Sequence, residues 1–382
     1  MNTILHRSPA WRPNAGRGLT RLALVVWSAV WLGGVAWGQG ATDDVGTWLR
    51  DGNFYYAQGD CALAQYFFQE ALKRDEGNVA ALVGKGRALG CQGAFGSAVE
   101  SFRAAIDLDP AYVPAYVQLA LAYQNQYLAD PTTFGGRLAE AIDVLRRAEG
   151  LAPADATVQN TKGIIFYEAG DLEQARITLE RAVELATAAG LSERERSVIQ
   201  VNLGKAYRDL GQLPMAQTAF RRAVVLDPAS ASAHNNLGNV NFRLDDCAGA
   251  EYELAQAVSL APRSLSAASQ LAIVLFECGD VSGSIPRFEQ ALTLEGSVFA
   301  PPLYTYLSRA YLVEGRVEDA VRRAQQGALL PPESADAHFH LGRSYVARNG
   351  AGDSDAARRA FERALELDPG MDAAREALNA LR

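Results

Sequence analysis

Side chains able to do chemistry are few in this chain, and their spacing argues against catalysis. The four histidines are His6, His234, His338 and His340. His338 and His340 stand two apart, and on a helix such residues point in different directions and cannot share a metal ion. No GxSxG elbow and no GxxxxGK[ST] phosphate loop occurs. Carboxylate pairs such as Asp245-Asp246 fall at expected helix ends, where they cap. The four cysteines, Cys61, Cys91, Cys247 and Cys278, form no CxxC redox or zinc pair. Amides and cations suited to holding a peptide are present, among them Asn160, Asn202, Asn235, Asn236 and Asn239, with Lys205, Arg208 and Arg243, and only a fold can say which of them share a face. An amide both donates and accepts, so it pairs with a peptide backbone whatever its sequence. The cations hold a carboxylate, arginine through two parallel hydrogen bonds. No enzyme activity, cofactor or metal is expected.

The elements that position these residues are legible as a repeat. Ala64, Ala98, Ala141, Ala175, Ala216, Ala250, Ser284, Ala320 and Ala357 form one column, many of them 34 residues apart. Four residues later stand Phe68, Phe102, Leu145, Leu179, Phe220, Leu254, Phe288, Ala324 and Phe361; small residues, alanine in all but Gly327, follow three further on. Twelve residues upstream of most members of the first column is another small residue, such as Gly52, Gly86, Gly163, Gly204, Gly238, Ala272 or Ser308. The upstream small residue lies on a first helix and the alanine on a second. Side chains this short let the two helices approach closely, and the aromatic or leucine one turn on fills the space between. Prolines such as Pro110, Pro228 and Pro369 close the units, and Gly59-Asp60, Gly170-Asp171, Gly211-Gln212 and Gly315-Arg316 break the two helices of a unit apart. No period-two alternation points to a sheet.

With these columns the chain resembles the tetratricopeptide repeat family over residues 45–371, in nine units that start near 45, 79, 113, 156, 197, 231, 265, 301 and 335. Residues 372–382 read as a helix closing the open end. The resemblance implies an all-α solenoid, a right-handed superhelix of antiparallel helix-turn-helix repeats. Unit three carries the loop Asp130–Gly136, and unit four ends in a longer second helix followed by the connecting segment Gly190–Arg196. Both are tolerated surface insertions, or the loop around Phe134 touches a ligand.

In that architecture the second helix of one unit runs antiparallel beside the first helix of the next. The register then puts Cys61 beside Cys91 and Cys247 beside Cys278, two expected disulfides; the alternative is four buried thiols. The family also implies that first helices line a concave groove where ligand peptides lie. The register turns Asn160, Ile164 and Tyr167 of unit four inward, and Val201, Lys205, Arg208 and Asp209 of unit five, with Asn202 beside them. Unit six contributes Asn235, Asn239, Phe242 and Arg243, with Asn236 adjacent; units seven to nine contribute Ile273, Phe276, Arg309, Phe339 and Arg343. This is similar in part to the carboxylate clamp of chaperone co-factors and to the asparagine ladder of sugar-transferring superhelical enzymes. Only Asn202 and Asn236 fall in the ladder column, and the clamp's basic residues are incompletely matched. A polar face that keeps the superhelix soluble is the competing reading. His234 and His338 stand at packing positions.

Residues 1–38 read as an address. Arg7, Arg12, Arg17 and Arg21 precede the apolar run Leu22–Trp37, and Ala36-Trp37-Gly38 suits a signal peptidase. The segment is a cleaved export signal or, if retained, a membrane anchor; 39–44 is a linker. Without 1–38 the chain carries 32 basic and 44 acidic residues, a net charge of −12. Such a body argues against nucleic acid as a partner. Arginine strongly outnumbers lysine, a hint of a GC-rich bacterial genome. The expected function is a protein-interaction scaffold of the bacterial cell envelope, periplasmic or secreted. The alternatives are a membrane-tethered subunit of a secretion, pilus or envelope-assembly machine, and a module recruiting a carbohydrate- or peptidoglycan-active enzyme.

Overall fold

The computed structural model describes residues 44–294, 296 and 300–381. The expected signal or anchor at 1–38 lies outside the described residues. Among those described there are nineteen helices and no strand. They form two compact units, one up to Pro153 and one from Ala154.

The N-terminal unit holds three hairpins: α1 (Val45–Ala57) with α2 (Cys61–Arg74), α3 (Val79–Cys91) with α4 (Phe95–Leu108), and α5 (Val113–Ala129) with α6 (Arg137–Leu151). The C-terminal unit holds six. They are α7 (Ala156–Glu168) with α8 (Leu172–Ala188), α9 (Glu193–Asp209) with α10 (Leu213–Leu226), and α11 (Ala231–Arg243) with α12 (Cys247–Leu260). Next come α13 (Leu265–Glu277) with α14 (Val281–Ala291), α15 (Pro301–Val313) with α16 (Val317–Ala328), and α17 (Ala335–Arg348) with α18 (Asp353–Leu367). The last, α19 (Asp372–Ala380), packs on α18 and closes the stack.

The column residues make the core. Phe68, Phe220, Phe288 and Phe361 are at most 1% exposed, and nearly every alanine of the repeat is fully buried. A Cβ added to Gly204 would stand 2.5 Å from the Phe220 ring, and one added to Gly342 2.5 Å from the Phe361 ring. The upstream position must therefore be small. Ser308 fills it in α15 by donating its hydroxyl to the carbonyl of Ala320.

Hairpin turns follow the glycines, with φ of 80° at Gly59, 82° at Gly170, 78° at Gly211 and 72° at Gly315. The turn between α11 and α12 differs. Asp245, expected to cap, instead adopts φ 60° in the place of the glycine, and only Asp246 caps, accepting from the N–H of Gly249 at 2.9 Å.

Eight hairpins begin at the residue the register assigns. The exception is α9, which starts at Glu193, one turn early. Ser192 and Glu195 form a capping box: the Glu195 N–H donates to Ser192 Oγ and the Ser192 N–H donates to Glu195 Oε2. Residues 193–196 are thus helix rather than the connecting segment expected. The Asp130 loop is folded on itself: its carboxylate accepts from Thr132 and Thr133, which holds it down at about 2. Phe134 is half-buried with the Arg137 guanidinium 5.9 Å from its ring centre.

Disulfides join Cys61 to Cys91 and Cys247 to Cys278, with Cα separations of 6.0 and 5.9 Å. Each staples the start of a second helix to the end of the next first helix. Within each unit, neighbouring first helices touch one another, from α1 to α3 to α5 and from α7 through α17, whereas second helices make no comparable contact. The stacks are tighter on the first-helix side and bend toward it, so first helices line the inner face of each unit.

Candidate functional site

The expected groove residues all lie in the C-terminal unit, the amides and cations of its centre on α7, α9 and α11 and the rest on α13, α15 and α17. Helical spacing brings them to one face, but the structure divides them into groups with different chemistry.

The first group is closed on itself. Arg208 donates through Nε and Nη2 to the carboxylate of Asp209, at 2.7 and 3.2 Å, and through Nη1 to Oδ1 of Asn236 at 3.1 Å. Tyr167 on α7 donates its hydroxyl to the same carboxylate. Burial works against ionisation of Asp209, but the Arg208 and Tyr167 hydrogen bonds outweigh it and hold the carboxyl below its ordinary range. Burial, and then Asp209, push the Tyr167 hydroxyl up to about 12. Three first helices are thereby tied across the face. This corrects the expectation that Arg208 awaits a ligand's carboxylate: its own neighbour supplies one.

The asparagines are partly committed too. Asn202 donates to Oδ1 of Asn160 at 3.0 Å, and buried Asn236 donates to the carbonyl of Ser232 at 2.8 Å. Asn236 is a rung between helices rather than a free contact. Asn239 donates to the Asn235 carbonyl at 3.0 Å, while the side-chain oxygen of Asn235 is buried and accepts from nothing. Val201, expected on the groove, is 6% exposed and belongs to the core; Phe242 leans on the core around Leu254 and Leu271.

What stays available is Lys205 and Arg243. Arg243 is exposed and makes no ion pair with a described residue. Lys205 is half-buried, also without an ion-pair partner among the described residues, and burial followed by the nearby Arg208 lowers its ammonium pKa. Glu168 and Asp209 act on it from beyond ion-pairing distance, but they do not offset its burial and Arg208; a cation so placed is unfavourable in the free protein. Further along the inner face the cations are occupied. Arg309 lies 4.7 Å over Phe276 and 4.8 Å over Tyr306 and reaches Glu277, and Arg343 lies over Phe339.

The three described histidines pack among neighbouring side chains. His234 is 6% exposed, with its ring nitrogens against Glu253 and the Pro228 carbonyl. His338 lies near Glu333, and His340 is 8% exposed. No group of histidine, cysteine, aspartate and glutamate suited to a metal occurs among the described residues. No described helix is long and apolar enough to cross a membrane.

Comparison with known families agrees with the repeat architecture. A tetratricopeptide repeat model matches residues 49–113, 134–190 and 306–372, and a TPR repeat model matches 204–245, together more than half of the chain. The chain is a tetratricopeptide repeat protein. The curated relatives are distant. The anaphase-promoting complex subunit CDC16 of Saccharomyces cerevisiae is 24% identical over 192 residues, half of this chain and 22% of that protein. The probable UDP-N-acetylglucosamine–peptide N-acetylglucosaminyltransferase SPINDLY of Hordeum vulgare is 23% identical over 180 residues, 47% of this chain and 18% of that one. The tetratricopeptide protein thus spans about a fifth of the length of these relatives. Among solved structures, the APC/C hetero-tetramer Cut9–Hcn1 aligns over 87% of this chain and 64% of its own, with a TM-score of 0.54 at 15% identity. The human IFIT1 dimer with PPP-AAAA aligns over 88% and 81%, with a TM-score of 0.56 at 16% identity. Both show the shared fold.

Two features escaped the sequence reading. Neighbours one apart on a helix do not ordinarily face each other, so Arg208 was expected to reach outward although Asp209 follows it directly. The early start of α9 was signalled by Ser192-x-x-Glu195, a capping-box pattern.

Proposed function

We infer that this protein is a non-enzymatic interaction scaffold that takes an extended, anionic peptide segment of a partner protein along the inner face of its C-terminal unit. Lys205 carries this reading. It is a half-buried cation of that face without a direct ion pair among the described residues, whose burial outweighs the more distant Glu168 and Asp209, set beside a Tyr167–Asp209–Arg208–Asn236 network that fixes its surroundings. A partner carboxylate there, from a chain terminus or an acidic side chain, would supply the missing charge, and Arg243 would add a second, exposed contact.

The compartment proposed is the bacterial cell envelope. The basic-then-apolar order of residues 1–38 supports export, and two cysteine pairs held as disulfides suit an oxidising compartment. N-terminal sequencing of the mature protein tests this: a start at Gln39 fits a released protein, and a retained Met1 fits a membrane-tethered one.

The experiment for the binding face is capture of partner peptides by Lys205→Glu with Arg243→Glu. Loss of capture with unchanged far-UV circular dichroism is expected, whereas undiminished capture would reject this face.

A further inference from the structure

A second docking surface lies on the other side of the C-terminal unit. Second helices pack less closely on one another than first helices do, and a trough opens between α8 and α10, with α9 as its floor. It has a volume of about 550 Å³. The insertion around residue 190 builds it. α8 is 17 residues long, against 11 to 15 for the other second helices, and α9 begins one turn early. Ala186 and Thr187 from the end of α8 and Arg196 from the first turn of α9 line the trough.

Its chemistry is one-sided. Val183, Ala186, Ile199, Val225 and Leu226 make an apolar lining, and Val225 is 74% exposed. The charges in it are Arg196, Arg221 and Arg222, and no carboxylate lines it. None of the three arginines has an ion pair among the described residues, whereas the nearby Arg176 and Arg181 are paired with glutamates on their own helix. The Nε of Arg196 is buried and donates to nothing. This character is not generic to the fold. The equivalent trough of the N-terminal unit, between α2 and α4 over α3, has Leu82, Leu89 and Ala104 in its lining but is otherwise polar, with Gln65, Gln69, Ser97 and Ser101, and carries one cation, Lys85, beside the carboxylate of Glu100.

We propose that this trough docks an acidic amphipathic helix of a partner protein, its apolar stripe on Val183, Val225 and Leu226 over the buried floor residue Ile199, and its carboxylates on Arg196, Arg221 and Arg222. An open channel between two helices accepts the ridge of a third. Three cations beside bare aliphatic surface in a chain of net negative charge select for carboxylates flanking apolar side chains. The surface is separate from the inner face, so the chain holds two partners, or two parts of one partner, at the same time.

The test is fluorescence anisotropy on the full chain. The probe is a labelled synthetic helix of about 18 residues, five turns at 3.6 residues each, with leucine along one stripe and glutamate elsewhere. Saturable binding is expected, weakened about tenfold or more by Arg221→Glu with Arg222→Glu and likewise by Val225→Asp, a loss typical of central contacts. Lys205→Glu with Arg243→Glu is expected to leave binding within about twofold, since sites this far apart act independently; that pair probes the inner face alone. All the substituted trough residues are exposed, and circular dichroism verifies that each variant folds. The proposal is overturned if the probe does not bind, if a version with lysine for glutamate or a scrambled stripe binds equally, or if the arginine variants bind unchanged. Retention on phosphatidylglycerol vesicles that depends on these arginines, without binding of the helix, would also overturn it in favour of a lipid surface.

Discussion

The guanidinium of Arg208 is closed on the carboxylate of Asp209, the next residue in the chain, with Nε 2.7 Å from one oxygen and Nη2 3.2 Å from the other. The pair ties α9 to Tyr167 on α7 and to Asn236 on α11. Two residues that could each have met a ligand therefore spend their charge on the scaffold. Asp209→Ala leaves Arg208 without its counter-charge while still only about a quarter exposed, and is expected to cost roughly 1–3 kcal/mol of stability. Urea denaturation of the variant, and of Arg208→Met with Asp209→Ala, measures it; the double variant should recover part of the loss.

Lys205 should behave in the opposite way. Its ammonium is disfavoured in the fold by burial and by Arg208. A cation whose folded pKa is depressed subtracts stability while it is charged, and the loss is relieved only as pH rises through that pKa toward the ordinary value of 10.5. Lys205→Met is therefore expected to raise the denaturation midpoint slightly near neutral pH, by about 0.5 kcal/mol, and to weaken partner binding at the same time. A destabilised variant would show that Lys205 is held by contacts of its own.

The histidine on α17 gives a pH signature. Burial first, then Arg309 and Arg343, push His340 down to about 3, although Asp336 lies 3.5 Å from its Nε2. The folded protein thus binds fewer protons than the unfolded chain between pH 3 and the ordinary histidine pKa of 6.5. Stability from this group is complete above 6.5 and declines as pH falls, by roughly 1–2 kcal/mol between about pH 7 and pH 5. His340→Gln should flatten that limb. Denaturation at the two pH values in both proteins checks the sign.

The disulfides should stabilise locally. Each closes a separation of 30 or 31 residues, which corresponds to roughly 3.6 kcal/mol for a loop of that size. Reduction, or Cys247→Ser with Cys278→Ser, is expected to increase hydrogen exchange in α12 and α13 well before the rest of the C-terminal unit opens, because each hairpin contacts only its neighbours. Uniform protection in the reduced protein would contradict this.

The fold was almost wholly legible in the sequence, because its determinants are contacts of fixed spacing. Phe220 on Gly204 and Phe361 on Gly342 recur as the same pair of positions, and the register that aligns them also pairs Cys247 with Cys278. The face was legible only as a set of positions. Which residues on it are free depends on rotamers of long side chains: nothing in the spacing says that Arg208 folds back on Asp209 or that Val201 turns into the core. The trough was not legible, since Val183, Ile199 and Arg222 meet across three helices through the divergence of α8 from α10.

The account stands most directly on where a partner touches. Site-specific photocrosslinking in the cells that make the protein, with a benzophenone side chain at Asn239 on the inner face and, as reference, at Tyr252 on α12, 62% exposed, measures it. A discrete adduct at Asn239 that disappears with Lys205→Glu, and none at Tyr252, is the expected result. Adducts at Tyr252 with none at Asn239 would contradict the inner face as the site of partner binding.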